Sequence, residues 1–231
     1  MKKTGNEKTA KEVKTENKLT ELVFILDKSG SMSGLESDTI GGFNSMLKKQ
    51  REHGEGKVLV TTVLFSSENV MIHERRPLEE VPDLTDSDYS VGGCTALIDA
   101  IGETVKYVER AHKKASPEEI PDNVLFVITT DGEENASREY SSDAVKRMLK
   151  AKQKLGWEFL FMAANIDAVQ TASHFGIKKD RAVNYVADSK GTGNNFMALG
   201  KAVECMRACG SVGDEWKEMV DDDYNGRKNG G

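Results

Sequence analysis

Three oxygen-bearing side chains alternate with other residues directly after the first apolar segment of the chain. They are Asp27, Ser29 and Ser31, in the run Asp-Lys-Ser-Gly-Ser. One carboxylate and two hydroxyls around a turn offer oxygen ligands to a hard divalent cation, and Mg²⁺ requires a near-octahedral set of such ligands. Because hydroxyls are weak ligands singly, the pattern predicts a cation site only if the fold brings further oxygens to this loop.

Two later segments supply such oxygens. Thr95 follows a Gly-Gly-Cys run at the start of a predicted helix, and Asp131 lies in a Thr-Thr-Asp-Gly-Glu run. Two carboxylates balance the charge of a dication, while the hydroxyls add neutral ligands. These two segments are therefore candidate sources of further ligands for the first loop.

Both aspartates end segments that have the pattern of buried strands. Residues 21–27 and 123–131 are nearly continuous apolar runs, as in strands that are covered on both faces. Strand-like and helix-like segments alternate along the chain, which favours a mainly parallel sheet with helices on both sides. Since ligands of such sheets bind outside the carboxyl ends of the strands, we expect the two acids to meet there.

The remaining segments complete one predicted α/β domain over residues 19–211. A strand over 57–65 is followed by an antiparallel return over 70–75, and further strands are predicted at 157–163 and, more weakly, at 182–186. Apolar residues at helical spacing mark the intervening helices: Ile40, Phe43 and Leu47; Leu97, Ile101 and Val108; Val145 and Leu149; Phe196, Leu199 and Val203.

Two terminal segments are predicted to lie outside this domain. Residues 1–18 form a basic extension in which Val13 is the only large aliphatic residue after Met1. So little apolar surface does not offset the entropy of ordering a chain, so we expect this extension to be disordered. Residues 212–231 are polar and end in glycines, which predicts a flexible C-terminal tail.

The composition argues against several classes of function. The net charge is −6 and the pI about 5.4, whereas nucleic acids are held by clustered Lys and Arg. No segment approaches the roughly 20 apolar residues that span a bilayer, and no apolar stretch follows the N-terminal lysines as in a secretory signal. The three cysteines form no disulfide framework, which predicts a cytoplasmic location.

The three loop motifs together resemble the metal-ion-dependent adhesion site (MIDAS) of von Willebrand factor type A (vWA) domains. The family pattern is D-x-S-x-S on a first loop, Thr on a second and Asp on a third. Asp27, Ser29 and Ser31 match the first element, Thr95 the second and Asp131 the third, so the resemblance implies that these five residues are the metal donors. The resemblance covers about residues 20–190. It implies a Rossmann-like three-layer sandwich with a six-stranded sheet in the order 3-2-1-4-5-6 and one antiparallel edge strand.

The resemblance also implies a function. In the family the hydroxyls bind the cation, here Mg²⁺ or Mn²⁺, and the aspartates often act through water, so the cation stays electrophilic and accepts an Asp or Glu of a protein partner. The chain looks similar to stand-alone intracellular prokaryotic members, which often work in complexes with ATPases, chelatases or stress-response proteins. It is thus expected to be a binder rather than an enzyme. The rim facing the partner would comprise Met32, Ser33, Gly93, Cys94, Gly132 and Glu133.

Other interpretations stay open at this point. A Mg²⁺-dependent hydrolase of the aspartyl-phosphate type also has an Asp after its first strand, but a second Asp two residues later, where this chain has Ser29. In a purely structural protein the first aspartate would only cap the next helix. Glu133 and Glu134 are expected to be solvated loop acids, with tuning of the rim as the alternative role for either. Cys205 and Cys209 lie four positions apart but lack the further ligands that zinc needs.

Overall fold

The computed structural model describes residues 18–54 and 56–229, and its centre is a six-stranded sheet. The strands are β1 (Leu19–Asp27), β2 (Lys57–Phe65), β3 (Asn69–Pro77), β4 (Asn123–Thr130), β5 (Trp157–Ala163) and β6 (Ala182–Asn184). Their order across the sheet is β3-β2-β1-β4-β5-β6. β3 runs antiparallel to β2 and the other neighbouring pairs are parallel, which confirms the predicted topology.

Helices cover both faces of this sheet. They are α1 (Glu36–His53), α2 (Leu97–Lys114), α3 (Ser142–Gln153), α4 (Ala168–His174), α5 (Ser189–Cys209) and α6 (Glu218–Asn229). Successive side chains of a strand point to opposite sides. In β1, Leu22, Phe24 and Leu26 therefore pack with α1 and α5, whereas Val23 and Ile25 pack with α2, α3 and α4. The result is the predicted three-layer α/β sandwich.

The register of the two central strands brings their carboxyl ends to one edge. Leu26 of β1 lies opposite Thr129 of β4, so Asp27 and Asp131 follow close together on adjacent strands. The direction of chain progression reverses between these strands, because β2 and β3 lie on one side and β5 and β6 on the other. Open α/β sheets bind their ligands at such a switch point.

Over residues 212–229, which the structure describes, the C-terminal segment is packed, contrary to the flexible tail predicted for 212–231. A short 3-10 turn leads from α5 towards α6, and Val212, Trp216 and Val220 are buried in the core that α1 and α5 share. Val212 precedes the 3-10 turn (Asp214–Lys217), Trp216 lies in it and Val220 lies in α6. Burial of these three apolar side chains stabilises the packing of the segment, although the segment is polar on average.

The other terminal prediction concerns residues 1–18. Of these, only Lys18 belongs to the described residues, so the predicted basic extension lies outside them.

Within the described ranges, no helix has the combination of length and apolarity that crossing a membrane requires. The three cysteines, Cys94, Cys205 and Cys209, are free thiols at the surface.

A buried ion cluster lies towards the other end of β1. Glu21 has no exposed surface, and its carboxylate contacts Arg75 Nε at 2.9 Å and His112 Nε2 at 2.5 Å. Arg75 has a left-handed backbone with a φ of 44°, near the register shift between β2 and β3. Since a buried carboxylate needs such partners, Arg75 and His112 have a structural role that the sequence did not reveal.

Candidate metal site

Asp27 forms the buried base of the candidate site. It is 1% exposed, and both carboxylate oxygens accept hydrogen bonds: Oδ1 from the Ser29 N–H at 2.7 Å and Oδ2 from the Thr130 hydroxyl at 2.6 Å. Burial raises the pKa of Asp27, while the hydrogen bonds from Thr130 and Ser29 act in the opposite direction. Thr130 therefore ties the end of β4 to the aspartate that ends β1.

The two serine hydroxyls connect this loop to Asp131. The Oγ atoms of Ser29 and Ser31 are 3.1 Å apart, and the Ser31 hydroxyl donates a hydrogen bond to Oδ1 of Asp131. Asp131 is also 1% exposed, yet its Oδ2 is buried and has no hydrogen-bond partner. Because buried polar atoms almost always have a partner, this oxygen is an acceptor that no group in the described part of the chain occupies.

The electrostatics of the two carboxylates favour a cation. Burial raises the pKa of Asp131; the hydrogen bond from Ser31 lowers it, and the nearby charge of Asp27 raises it. Among the described residues, no basic side chain is a leading cause of the pKa shift of either aspartate. Two neighbouring buried carboxylates are costly to ionise together, so a cation bound beside them would stabilise both charges.

Thr95 reaches the same place through its hydroxyl. A Cβ atom built on Gly132 would lie 3.2 Å from Ser31 Oγ and 3.7 Å from Thr95 Oγ1, so the two hydroxyls border one small space. The second loop also contacts the first directly, because the Gly30 N–H donates to the Gly93 carbonyl at 3.1 Å. The structure therefore brings the five predicted metal donors together.

This donor set fits a small, hard cation. Hydroxyls and carboxylates provide oxygen, which Mg²⁺ and Mn²⁺ prefer, whereas zinc favours nitrogen and sulfur. Within the part of the chain that the structure describes, no group of three or more His, Cys, Asp or Glu side chains could hold a metal. A metal at this edge of the sheet thus depends on the hydroxyls, and the unused Oδ2 of Asp131 is consistent with one.

One of the six predicted rim residues is misplaced. Met32 is 4% exposed and its side chain lies in the hydrophobic core, because it ends a 3-10 turn (Gly30–Met32) that directs it inwards. The prediction for Met32 was therefore wrong, and this residue anchors the first loop instead. The other five reach the surface wholly or in part: Ser33, Gly93, Cys94, Gly132 and Glu133.

Two acidic side chains organise the third loop, and the sequence did not predict this. Glu134 accepts hydrogen bonds from the Ile98 N–H at 2.8 Å and from the backbone amides of 136–137. Asp99 accepts hydrogen bonds from the backbone amides of 138–140. The prediction of a solvated Glu134 was wrong, because the first turn of α2 offers backbone donors that the helix cannot pair internally. The loop after Asp131 is thereby tied to the start of α2.

Two buried tyrosines lie behind the site. Tyr89 is 1% exposed and its hydroxyl donates to the main-chain carbonyl of Asp27. Tyr185 is 3% exposed and its hydroxyl is 3.4 Å from the Thr130 carbonyl. Burial, together with the charges of the two aspartates, raises the pKa of both tyrosines, so both phenols remain donors. No local motif signals them, because only the fold brings them to the strand ends.

The geometry of Asp27 disfavours the two alternative interpretations. The next helix, α1, begins at Glu36, whereas Asp27 accepts hydrogen bonds from Ser29 and Thr130, so it does not cap that helix. An aspartyl-phosphate enzyme needs a carboxylate oxygen that can attack its substrate. Both oxygens of Asp27 are engaged and the side chain is 1% exposed, which places it as a structural anchor.

Comparison with known proteins finds similarity in structure and not in sequence. No family model matches the chain, and no curated protein matches it. Proximal thread matrix protein 1 of the mussel byssus, solved with a zinc-occupied MIDAS motif, superposes with a TM-score of 0.54 at 12% identity, over 80% of this chain and 45% of that chain. A von Willebrand factor type A structure from Catenulispora acidiphila gives a TM-score of 0.52 at 11% identity, over 80% and 42%.

A third structure extends this group. The pilus adhesin SpaC of Lactobacillus rhamnosus GG, in an open conformation, has a TM-score of 0.59 at 12% identity, over 80% of this chain and 30% of that chain. The chain thus spans less than half the length of each of these three proteins. Together with the sheet order, these similarities define its class: it has a vWA-like, Rossmann-like fold.

Proposed function

We propose that this chain is a metal-dependent protein-binding module. Ser29, Ser31 and Thr95 would hold Mg²⁺, or Mn²⁺, through their hydroxyls, while Asp27 and Asp131 would balance its charge. The observation that supports this most directly is the buried Oδ2 of Asp131, which has no partner in a cluster of oxygen ligands. When bound, the cation supplies a positive centre that attracts an acidic side chain of a partner.

The protein's own groups keep this site open towards solvent. Asp27 is held through both oxygens at the base, whereas Ser31 is exposed above it. Gly132 adds no side chain beside the Ser31 hydroxyl, where a Cβ would lie at 3.2 Å. The space next to the hydroxyls is therefore accessible to a side chain from another protein.

The partner that we propose is a cytoplasmic protein that presents an Asp or Glu. Support comes from the shared fold, since one structural neighbour is a pilus adhesin and another was solved with an occupied MIDAS motif. The net charge of −6 disfavours nucleic acid, and free surface thiols suit a reducing compartment. A complex with an ATPase or a stress-response protein is the partner class that the family resemblance suggests. The engaged carboxylate of Asp27 supports binding rather than catalysis.

Titration calorimetry with Mg²⁺ and Mn²⁺ tests the metal. The parent should bind one ion, and Ser29→Ala should bind at least tenfold more weakly because a metal-facing hydroxyl is lost. Ser87→Ala is a matched control, since Ser87 is exposed and bonds to Thr85 away from the site. Absence of binding heat in the parent, with no metal-dependent rise in melting temperature, would refute the proposal.

Capture of partners from a cytoplasmic extract tests the second half of the proposal. The parent should retain a protein in Mg²⁺ that is lost in chelator, and Asp27→Ala should retain none. Once that protein is identified, replacing its contacting Asp or Glu with Asn or Gln should abolish the metal-dependent part of the affinity. A partner that binds equally well in chelator would contradict a metal-mediated contact.

A further inference from the structure

Thr95 is held from both sides by one residue of the third loop. Its N–H donates to the side-chain Oδ1 of Asn135 at 2.9 Å, and its carbonyl accepts from the Asn135 N–H at 3.0 Å. The two residues are 40 positions apart in sequence. This pair of bonds fixes the backbone of Thr95, and hence the direction of its side chain, relative to the loop that begins at Asp131.

The loop around Asn135 is itself held firmly. Glu134 bonds to the Ile98 N–H at 2.8 Å, and Asp99 accepts hydrogen bonds from the amides of 138–140. The Asp99 N–H in turn donates to the Ser137 hydroxyl at 3.0 Å. Hydrogen bonds on both sides of Asn135 in sequence, at Glu134 and at residues 137–140, therefore hold its loop to the first turn of α2.

The residues on either side of Thr95, Cys94 and Ala96, form hydrogen bonds with a different segment. The Cys94 N–H donates to the Ser67 hydroxyl at 2.9 Å, and the Ala96 N–H donates to the Ser66 carbonyl at 2.9 Å. These bonds tie the second loop to the turn after β2, which carries none of the five donors. The hydrogen bonds of Thr95 to Asn135 thus connect it directly to the loop of Asp131.

We propose that Asn135 is a positioning residue of the metal site, which couples Thr95 to the loop of Asp131 so that both donors are presented together. Its hydrogen bonds within the described residues go to the backbone of Thr95 and not to a donor side chain, so it acts through that backbone. This inference rests on the proposed metal-binding function. Residues that orient metal ligands in this way typically contribute about 10–100-fold to affinity.

The variants Asn135→Ala and Asn135→Asp separate positioning from folding. Asn135→Ala removes the acceptor for the Thr95 N–H, whereas Asn135→Asp retains it. We expect Asn135→Ala to weaken Mn²⁺ binding about tenfold, and Asn135→Asp to bind at least as tightly as the parent, since its added charge attracts the cation. Asn135→Ala also leaves the N–H of buried Thr95 without this acceptor, so a small fall in the metal-free melting temperature is expected, and the Mn²⁺ affinity of the folded variants is the readout that separates positioning from folding.

Asn44→Ala is the matched control. Asn44 also bridges one backbone residue with two bonds, but through its side chain alone, since its Nδ2 donates to the Leu84 carbonyl at 2.9 Å and its Oδ1 accepts the Leu84 N–H at 2.8 Å. This variant should lower the melting temperature without changing Mn²⁺ affinity.

The combination with Thr95→Ala completes the test. If Asn135 acts through the Thr95 hydroxyl, adding Asn135→Ala to Thr95→Ala should weaken Mn²⁺ binding little further. Full affinity in Asn135→Ala, or an undiminished further loss in the double variant, would overturn the role of Asn135 while leaving the metal site intact. No binding in the parent would overturn both proposals, and the parent titration alone reveals that outcome.

Discussion

The hydroxyl of Ser31 donates a hydrogen bond to Oδ1 of Asp131, which lies 100 positions later in the chain. This bond leaves Oδ2 of the same carboxylate buried and without a partner. The second buried carboxylate, Asp27, raises the pKa of Asp131 further through its charge. An ionised carboxylate in these surroundings destabilises the fold until a cation joins it, so fold stability and metal affinity are linked at this site.

The variant Asp131→Asn removes the charge and keeps the shape. We expect it to abolish binding of Mg²⁺ and Mn²⁺ and, in chelator at neutral pH, to raise the melting temperature by about 2–4 °C, because an unpaired buried charge is lost. Titration calorimetry measures the binding, and scanning calorimetry measures the melting temperature. Asp122→Asn is the control, since Asp122 is exposed and accepts the Leu19 N–H. A lower melting temperature for Asp131→Asn than for the parent would contradict the linkage.

Metal affinity should fall as the solution is acidified. The ionised carboxylates bind the cation, and burial raises the pKa of Asp27 and of Asp131 above the ordinary value of 3.8. Protons therefore compete with the metal at a higher pH than at an exposed aspartate. Mn²⁺ titrations at several pH values between about 7 and 4 check this. Constant affinity across that range would be evidence against it.

In chelator, the contribution of Asp27 and Asp131 to the free energy of unfolding should rise as the solution is acidified, whereas the metal affinity falls. A group whose folded pKa is raised favours the folded state below its unfolded pKa, and this contribution is lost as pH rises through the folded pKa. For Asp27 and Asp131 the loss begins near 3.8 and continues upwards. The free energy of unfolding of the parent, compared with Asp131→Asn across this range, isolates the contribution of Asp131.

Tyr89→Phe tests the support behind Asp27. Loss of its hydroxyl leaves the Asp27 carbonyl without this donor, so we expect a cost of about 1 kcal/mol in unfolding free energy and several-fold weaker Mn²⁺ binding. The control is Tyr107→Phe, whose hydroxyl donates to Glu74 at 3.0 Å away from the site. It should affect stability without changing affinity. Equal metal affinity in Tyr89→Phe and the parent would show that this hydrogen bond is only structural.

The sequence predicted those features that depend on local patterns. Apolar runs that end in an acid identified β1 and β4, and the alternate spacing after Asp27 identified the first loop. Local spacing did not reveal the inward turn of Met32 or the bond from Tyr89, which reaches Asp27 across 62 positions. It also missed Glu134 and Asn135 as supports, because their partners lie on α2 and the second loop. Such contacts depend on the assembled fold and leave no periodic signal.

Glu21→Ala should destabilise the fold without touching the metal site. It would leave Arg75 and His112 without their buried partner, and breaking a buried ion pair costs about 3–5 kcal/mol. Urea denaturation measures the loss, and Mn²⁺ affinity of the folded variant should equal that of the parent. Glu109→Ala is the comparison, since Glu109 pairs with Lys152 nearer the surface, where an ion pair contributes about 1 kcal/mol or less. Equal effects of the two substitutions would contradict a structural role for the buried cluster.

Trp216→Ala tests whether the C-terminal segment belongs to the folded domain. Trp216 is 3% exposed, and its Nε1 donates to the Asp180 carbonyl at 3.0 Å. Truncating a buried aromatic side chain costs about 3–5 kcal/mol, whereas Leu155→Ala, at a side chain that is 71% exposed, should change stability by about 0.5 kcal/mol at most. An ion pair between Arg227 of α6 and Asp188 also joins this segment to the start of α5. A flexible tail would make both substitutions equally harmless in urea denaturation, and the packed helix makes them differ.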